Sequence, residues 1–239
     1  NTSMLWRVLS IDGNKVELIA TQLVSTNDNT EGLILVGQNG FLNSETILKN
    51  LCEKLYNSDY GTGRSIKIND INKLTGFNPE TSTWLENHQR EYYNETYTYS
   101  EGGPFWYKDE SNNEHFANAT VSNPITIKND VYEYEITESM TLYDTLISGM
   151  DESESERTGL PGYWLSSRCC EGDGWGAIFS VRYLDFASGV VSCYQMVNSN
   201  KYGHSVEEDA NALILPIVTL NSGISITNGS GTLSNPYEL

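Results

Sequence analysis

The sequence predicts an α+β fold with a mainly antiparallel sheet. Short strand-like segments joined by turn residues lie near both ends of the chain, and two amphipathic helical segments follow the first strands. The 239 residues are enough for one domain with a substantial core. Aromatic residues make up 11% of the chain, which is typical of a folded protein.

The N-terminal segment predicts a β-hairpin. LWRVLSI (5–11) and VELIA (16–20) are strand-like runs, and Asp12 and Gly13 between them supply a turn that needs positive φ. LILV (33–36) is a third short strand, and we expect the GQNG sequence after it to end that strand.

Two helices are predicted after the third strand. Apolar residues at helical spacing indicate an amphipathic helix over residues 45–57, with Ser44 as its N-cap. A second short helix is predicted to begin at Asn69 or Asp70, one of which caps it, and to stop at Gly76.

The C-terminal third predicts more strands. GAIFSVRYLDF (176–186) and VVSCYQMV (190–197) form a second hairpin, and ALILPIVTL (212–220) is expected to be one central strand. Pro216 inside that strand requires a bulge or a free N–H side. Because the first and last strands are both strongly apolar, we expect them to lie side by side and to bring the termini together.

We predict a single domain over 1–239 with four consecutive regions. They are the N-terminal strands and helices (1–76), an irregular insertion rich in aromatic and acidic residues (77–160), the C-terminal hairpin and final strand (161–226), and a loose tail (227–239). The insertion lacks a helical period, so its alternating tyrosines indicate short strands or extended loops. DESESE (151–156) is expected to be a solvated acidic loop.

Charge excludes some partners. The chain has 14 Lys and Arg against 32 Asp and Glu, a formal net charge of −18. Such a surface repels nucleic acid, so we expect no nucleic-acid partner.

No apolar run approaches the ~20 residues that span a bilayer, so we expect no membrane insertion. No signal peptide pattern begins the chain, and we expect a mature fragment from which an upstream segment was removed.

Four cysteines are too few for a disulfide scaffold. Cys52 lies on the apolar face of the first predicted helix, where a buried thiol is expected. Cys169 and Cys170 are adjacent in sequence, and Cys193 can pair with either, so a disulfide remains an open alternative at this point.

Metal sites have weak sequence signals. The three histidines have no metal-ligand partner at helical or turn spacing. Three segments offer oxygen ligands in predicted loops: DNTEG (28–32), NDIN (69–72) and EGDG (171–174). Turns use the same residue types, and none of the three matches the EF-hand pattern. We therefore expect no cofactor, with Ca²⁺ as the open alternative.

Catalytic motifs are also weak. Ser166 and Ser167 lack the strained elbow of a serine nucleophile. The better interpretation is structural: Trp164 is buried, the serines bond backbone groups, and Arg168 holds a buried carboxylate or carbonyls. Carboxylates are abundant, but the sequence does not measure the ~5–9 Å separations of a glycosidase pair.

Aromatic residues near the C-terminal hairpin carry the strongest functional signal. Trp175 lies alone among glycines and acidic residues, and Tyr183, Tyr194 and Tyr202 lie on or beside the hairpin. Aromatic faces stack on sugars or peptides at a small cost in entropy. As a group these residues predict a recognition surface, although some of them can simply cover the core.

A resemblance supports this hypothesis. LWRVLSIDGNKVELIA, LILVGQNGFLNS, LCEKLY, GRSIKINDINKLTG, GYWLSSRC, FSVRYL and LPIVTLNSGI occur in that order. Together they resemble a large group of domains in gut clostridia and their phages or prophages. The C-terminal part is similar to the C-type-lectin-like fold, in the variant shared with formylglycine-generating enzymes and phage tropism determinants. The resemblance spans roughly 4–226 and is weakest in 77–160, and this fold serves many functions.

The resemblance implies a scaffold whose C-terminal loops and hairpin form a binding face. In some relatives that face is varied by diversity-generating retroelements. The implied display positions are Glu171, Asp173, Trp175, Ile178, Ser180, Tyr183, Ser192, Tyr194 and Gln195. The implied framework positions, which support the fold, are Trp164, Ser167, Arg168, Phe179, Arg182 and Pro216.

The chain departs from its relatives in three respects. Leu215 stands where the group often has an arginine, which puts one buried ion pair in doubt. The Glu-Pro-Asn and Gln-Pro-Asp triplets of calcium-dependent lectins are absent from the sequence, so calcium-mediated sugar binding is not implied. Cys169 and Cys193 do not lie in the reactive motif of the formylglycine-generating enzymes, so catalysis is not implied either.

The expected function is therefore non-enzymatic ligand recognition. The domain would be extracellular, on a virion or a bacterial surface, and its partner would be a cell-surface glycan or protein. The first alternative is a structural building block that forms a homo-oligomer or a larger assembly. The second is a glycan-active or formylglycine-type enzyme, which requires a concave site with perturbed carboxylates or thiols.

Overall fold

A computed structural model describes most of the chain. The described residues are 6–23, 32–82, 94–99, 106–108, 114–116, 125–140, 143–147, 160, 162–172, 176–186, 188–200 and 205–224. They form mostly antiparallel sheets with a few helices, which confirms the predicted α+β class. The division of 1–239 into four regions of one domain stays a prediction.

The elements follow one another in three groups. The first group is β1 (Trp6–Asp12), β2 (Lys15–Ala20), β3 (Leu33–Val36), α1 (Gly37–Tyr56), β4 (Gly61–Ser65), α2 (Ile68–Thr75) and a 3₁₀ turn (Pro79–Thr81). The second is β5 (Thr96–Tyr99), β6 (Trp106–Lys108), β7 (Glu114–Phe116), β8 (Ile125–Lys128), β9 (Tyr134–Glu135) and α3 (Tyr143–Leu146). The third is β10 (Gly162–Gly172), β11 (Gly176–Asp185), β12 (Val190–Asn200), β13 (Ser205–Glu207), β14 (Asp209–Ile214) and β15 (Pro216–Leu220).

These strands form three sheets. The N-terminal sheet has the order β1-β2-β15-β4, and the main sheet has the order β13-β12-β11-β10-β14-β3, with β9 also paired to β12. The insertion sheet has the order β7-β6-β5-β8. Strands β10 and β14 pair in parallel, and the other strand pairs are antiparallel.

The two predicted hairpins are present, but the position of the last strand differs from the prediction. Gly13 adopts φ 57° in the turn between β1 and β2, as the sequence predicts. The last strand, β15, pairs with β2 and β4 and not with β1. Four consecutive residues of β2 are buried whereas β1 is only partly covered, so β2 takes the interior position and β1 the edge.

Helix α1 begins eight residues earlier than predicted, at Gly37 and not at 45. Ser44 therefore lies inside the helix, where its hydroxyl donates to the Phe41 carbonyl at 3.2 Å. The GQNG sequence forms the first turn. A Cβ on Gly40 would lie 2.9 Å from the Leu35 carbonyl carbon, so this glycine permits close packing against β3 and does not break the helix.

Helix α2 ends as predicted but begins earlier. Gly76 adopts the left-handed conformation at φ 73° and stops the helix. The N-cap is Lys67, and the Asp70 carboxylate accepts a hydrogen bond from the Lys67 N–H at 2.8 Å. The segment 69–72 is helical, so it is not one of the loops on which the Ca²⁺ alternative depends.

The predicted central strand 212–220 is two strands in different sheets. Strand β14 belongs to the main sheet and ends at Ile214, and β15 belongs to the N-terminal sheet and begins at Pro216. Proline has no N–H to donate, so it suits the first residue of a strand. In place of the expected bulge, the chain crosses here from one sheet to the other.

The insertion is more regular than predicted, because it contains the insertion sheet. The insertion sheet contacts the main sheet where the buried Tyr97 ring packs on Gly172 of β10. The contact is so close that a Cβ on Gly172 would lie 2.1 Å from the Tyr97 ring. The Asn129 side chain also donates to the Gly172 carbonyl at 2.8 Å. The predicted acidic loop 151–156 and the tail 227–239 lie outside the described residues.

Both faces of the main sheet are covered. On one face Trp164, Phe179 and Val181 pack with residues of α1 such as Phe41. On the other face Tyr163, Leu165 and Leu184 pack with residues of the N-terminal sheet and α2. The framework prediction for Trp164 and Phe179 is confirmed, since both are buried.

An ion-pair network joins the N-terminal sheet to α2. The buried Glu17 carboxylate accepts from Arg64 Nε and Nη2, both at 3.1 Å, and from Lys15 Nζ at 2.9 Å. Arg64 also donates to Asp70 at 2.7 Å. Burial alone would raise the pKa of Glu17, but the hydrogen bonds and charges of Arg64 and Lys15 outweigh burial and lower the pKa to about 2.

We predict that Glu17→Gln lowers the free energy of unfolding at pH 7 by about 3 kcal/mol, because it leaves Arg64 with one carboxylate. In the native protein this stabilisation is complete above about pH 4.5 and is lost as the pH falls towards 2. Urea unfolding should therefore show the same loss of stability in the variant at pH 7 and pH 5, and a smaller loss at pH 3. Glu138→Gln, at an exposed position, is the control. A deficit that is constant with pH would contradict the prediction.

Candidate functional site

An irregularity in β10 organises the candidate site. Trp164 pairs with Tyr183, and Arg168 pairs with Val181, so residues 165–167 of β10 stand opposite the single residue Arg182 of β11. The extra residues interrupt the ladder and direct their side chains out of the regular alternation.

The residues of this irregularity bind neighbouring elements. Ser167 Oγ accepts from the Ile68 N–H at 3.0 Å, at the start of α2, and Ser166 N–H donates to the Ile66 carbonyl at 2.7 Å. Trp164 Nε1 donates to the Leu33 carbonyl at 2.8 Å. The structural interpretation of Trp164 and Ser167 is thus confirmed.

Arg168 lies between the main sheet and α1. Its Nε donates to Glu45 at 3.3 Å, its Nη1 to the Leu42 carbonyl at 3.4 Å, and its guanidinium carbon lies 5.8 Å from the centre of the Phe41 ring. The sequence predicts a buried carboxylate or backbone carbonyls as the partner of Arg168. The Glu45 side chain is 41% exposed, so the carboxylate partner is not buried. The contact with the Leu42 carbonyl agrees with the prediction.

Arg182 is fully buried and holds the segment after β8. It donates to the backbone carbonyls of Tyr132 and Asp130, lies 3.6 Å from the Asp130 carboxylate, and covers the Tyr132 ring at 4.1 Å. Its role as a framework residue is confirmed. Burial raises the pKa of Asp130 more than Arg182 lowers it.

The four cysteines are free thiols. The Cys169 side chain on β10 and the Cys193 side chain on β12 approach each other and form a hydrogen bond, but no disulfide joins them. Burial, and then the neighbouring Cys193, raise the pKa of Cys169 well above its usual value, and burial does the same for Cys170. Both thiols therefore stay protonated at neutral pH.

Three of the predicted display residues lie together on the α1 side of the hairpin. Tyr183 and Ser192 are directly paired across β11 and β12, and Tyr183 and Tyr194 meet edge to face with ring centres 6.1 Å apart. Tyr194 meets the buried Trp164 in the same way at 6.1 Å. The two tyrosines pack against the core cluster that contains Trp164 and Phe179, and they remain partly exposed.

Two carboxylates border these side chains. The Tyr183 hydroxyl donates to Asp185 at 3.4 Å, and the Ser192 hydroxyl donates to Glu133. Burial and then Asp185 raise the pKa of Tyr183 to about 12, so its hydroxyl remains neutral at physiological pH. We call Tyr183, Ser192, Tyr194, Asp185 and Glu133 the tyrosine patch. It offers aromatic edges, hydroxyls and acceptors on one rigid sheet surface.

The other predicted display residues do not belong to this patch. Glu171 and Ile178 pair with each other and are partly exposed, and Gln195 donates to Glu208 at 2.9 Å. Ser180 is only 2% exposed, so its assignment as a display residue is wrong. Strand alternation places Ser180 and Gln195 opposite the face that carries Tyr194.

Asp173, Trp175 and Tyr202 lie outside the described residues, as do 28–31 and 173–174 of the suggested calcium segments. Among the described residues, no group of three or more His, Cys, Asp or Glu side chains is arranged to hold a metal ion. No helix in the described part of the chain is long and apolar enough to cross a membrane.

Sequence reasoning missed Asp185 and Glu133. Asp185 ends β11 and lies two residues from Tyr183, so strand alternation along the predicted hairpin was an available signal. Glu133 reaches Ser192 through the pairing of β9 with β12, for which the sequence carries no local signal.

No family model, curated protein or solved structure matches the chain significantly.

We predict that Arg182→Met lowers the free energy of unfolding by about 3 kcal/mol, because it leaves two carbonyls and the Asp130 carboxylate without their donor. Arg168→Met should cost about 1 kcal/mol, since its carboxylate partner is partly exposed. Urea unfolding of both variants measures the difference. An equal loss of unfolding free energy in the two variants would show that the burial of Arg182 does not determine how much it stabilises the fold.

Proposed function

We propose that this chain is a non-enzymatic ligand-recognition domain, and that the tyrosine patch is part of its binding face. One observation carries the proposal: partly exposed aromatic rings, hydroxyls and carboxylates are brought together on one strand pair whose underside is packed against the core. Rigid placement of such groups lowers the entropy lost on binding.

The proposed ligand is a cell-surface glycan or protein. Tyrosine rings stack on the apolar face of a sugar, and carboxylates such as Asp185 and Glu133 accept hydrogen bonds from sugar hydroxyls. These contacts need no metal ion, so the proposal includes no cofactor. The net charge of −18 disfavours polyanionic ligands and favours neutral or cationic ones.

We further propose that the C-terminal part is a C-type-lectin-like scaffold displayed outside the cell, on a virion or a bacterial surface. The support is the order of sequence motifs together with antiparallel strands β10 and β11, in which the framework residues Trp164, Phe179 and Arg182 are buried. Trp175 and Asp173 remain proposed members of the same binding face.

We predict that Tyr183→Ala combined with Tyr194→Ala strongly weakens binding, because aromatic contacts dominate small recognition surfaces. The measurement is a screen of the purified domain against an array of bacterial cell-surface glycans and against intact gut bacteria, with and without chelator. Binding by the native domain should fall at least tenfold in the variant. Tyr60→Ala, an exposed tyrosine outside the patch, is the matched control.

Thermal melting separates recognition from folding. The double variant should retain a cooperative transition and lose binding. An unfolded double variant would show that these tyrosines are core residues, and equal binding by both variants would exclude the patch as the site.

A second candidate function is self-assembly, and one observation favours it. Strand β3 is an edge of the main sheet, and its Ile34 and Val36 are 57% and 51% exposed. Exposed apolar edge strands pair readily with other chains. Sedimentation across protein and salt concentration tests this candidate, and Ile34→Lys should abolish any association that uses this edge.

A further inference from the structure

A second concave site lies between α1 and β4 and shares no residue with the tyrosine patch. It is a cleft of about 430 Å³, within the size range of small-ligand pockets. Residues from α1, β4, β10, β15 and the start of α2 line it: Glu45, Thr46, Lys49, Glu53, Thr62, Gly63, Arg64, Ser65, Lys67, Ser166 and Thr219.

Most of the charges in this cleft are already paired. Glu45 bonds Arg168 at 3.3 Å, and Lys49 lies 3.6 Å from Glu53. Arg64 is held between two carboxylates of the ion-pair network. Lys67 differs: within the described part of the chain, its ammonium group has no carboxylate within 4.0 Å. The cleft therefore presents one unpaired positive charge on a protein of net charge −18.

Five hydroxyl side chains line the same cleft. Two of them are engaged, since Ser65 donates to the Ile66 carbonyl at 3.4 Å and Thr219 donates to Glu17 at 3.2 Å. In the described structure, the side chains of Thr46, Thr62 and Ser166 make no hydrogen bond. Ser166 is a buried polar residue, and the irregularity in β10 brings it to the cleft. Free hydroxyls in a concave site can each donate and accept a hydrogen bond.

The walls of the cleft are fixed by close backbone packing. A Cβ on Gly63 would lie 2.4 Å from the Cys52 carbonyl oxygen, so α1 and β4 approach as closely as glycine permits. Cys52 is fully buried beneath this contact. The cleft is thus preformed, and a ligand does not need to order its walls.

We propose that this cleft binds a hydroxyl-rich monoanion, namely a sugar acid of the uronate class. Lys67 pairs with the carboxylate, and Thr46, Thr62 and Ser166 bond the ring hydroxyls. A single unpaired cation matches a single carboxylate, and the acidic remainder of the protein opposes ligands that carry more negative charge. This site is additional to the tyrosine patch and does not depend on its function.

The test is an NMR titration of the full chain with sodium glucuronate, in parallel with methyl glucoside and sodium acetate. We expect millimolar affinity for glucuronate, with shifts at residues lining the cleft, and binding at least tenfold weaker for the neutral sugar and for acetate. Lys67→Met should weaken glucuronate binding about tenfold or more, because a hydrogen bond to a charged group is lost. Lys73→Met, an exposed lysine of α2, is the matched control and should bind normally.

Each departure has a definite meaning. No glucuronate binding, equal binding of the neutral sugar, or equal binding of acetate would overturn the proposal, since charge and hydroxyls are both required. An unchanged affinity in Lys67→Met would overturn it as well. Ser166→Ala provides a second variant, with an expected loss of a few-fold and with melting as the folding control. The double variant Tyr183→Ala, Tyr194→Ala should still bind glucuronate. That result would show that this cleft and the proposed recognition face are different sites.

Discussion

The arrangement of the whole molecule depends on three residues of β10 standing opposite one residue of β11. A regular ladder would have opposed 165–167 with three residues of β11 and alternated their side chains strictly between the two faces of the sheet. The extra residues let the Ser167 hydroxyl accept from the Ile68 N–H at the start of α2, and they bring Ser166 to the cleft beside α1. Arg182, opposite them, is directed into the core and holds the segment that leads to β9. One local irregularity thus contributes contacts to α2, to the cleft beside α1 and to the segment that leads to β9.

Three arginines connect parts of the chain that are far apart in sequence. Arg64 joins Glu17 to Asp70, Arg168 joins β10 to α1, and Arg182 joins β11 to the segment after β8. The guanidinium group suits this role because it stays charged and donates in several directions at once. In a chain with 14 basic and 32 acidic residues, each of these three cations lies within 4.0 Å of at least one carboxylate.

Features with local causes were predictable from the sequence. The Gly13 turn and the stop at Gly76 depend on backbone conformations that favour glycine, and both are as predicted. The start of α1, the change of sheet at Pro216 and the division of the display positions between two faces depend on contacts between distant segments. Ser180 is the clearest example, since the resemblance implies a display position there, but its face of β11 is covered. The patch tyrosines were predictable by type, and their carboxylate neighbour Glu133 was not.

Because the chain changes sheet at Pro216, the N-terminal sheet can form fully only after β15 has been synthesised. Strand β15 is the last strand of the described chain, yet it lies between β2 and β4, which are synthesised first. During translation those two early strands have no partner between them until residue 220 has left the ribosome. The N-terminal sheet therefore closes only after β15 has been synthesised, and until then the facing edges of β2 and β4 are unpaired and open to association with other chains.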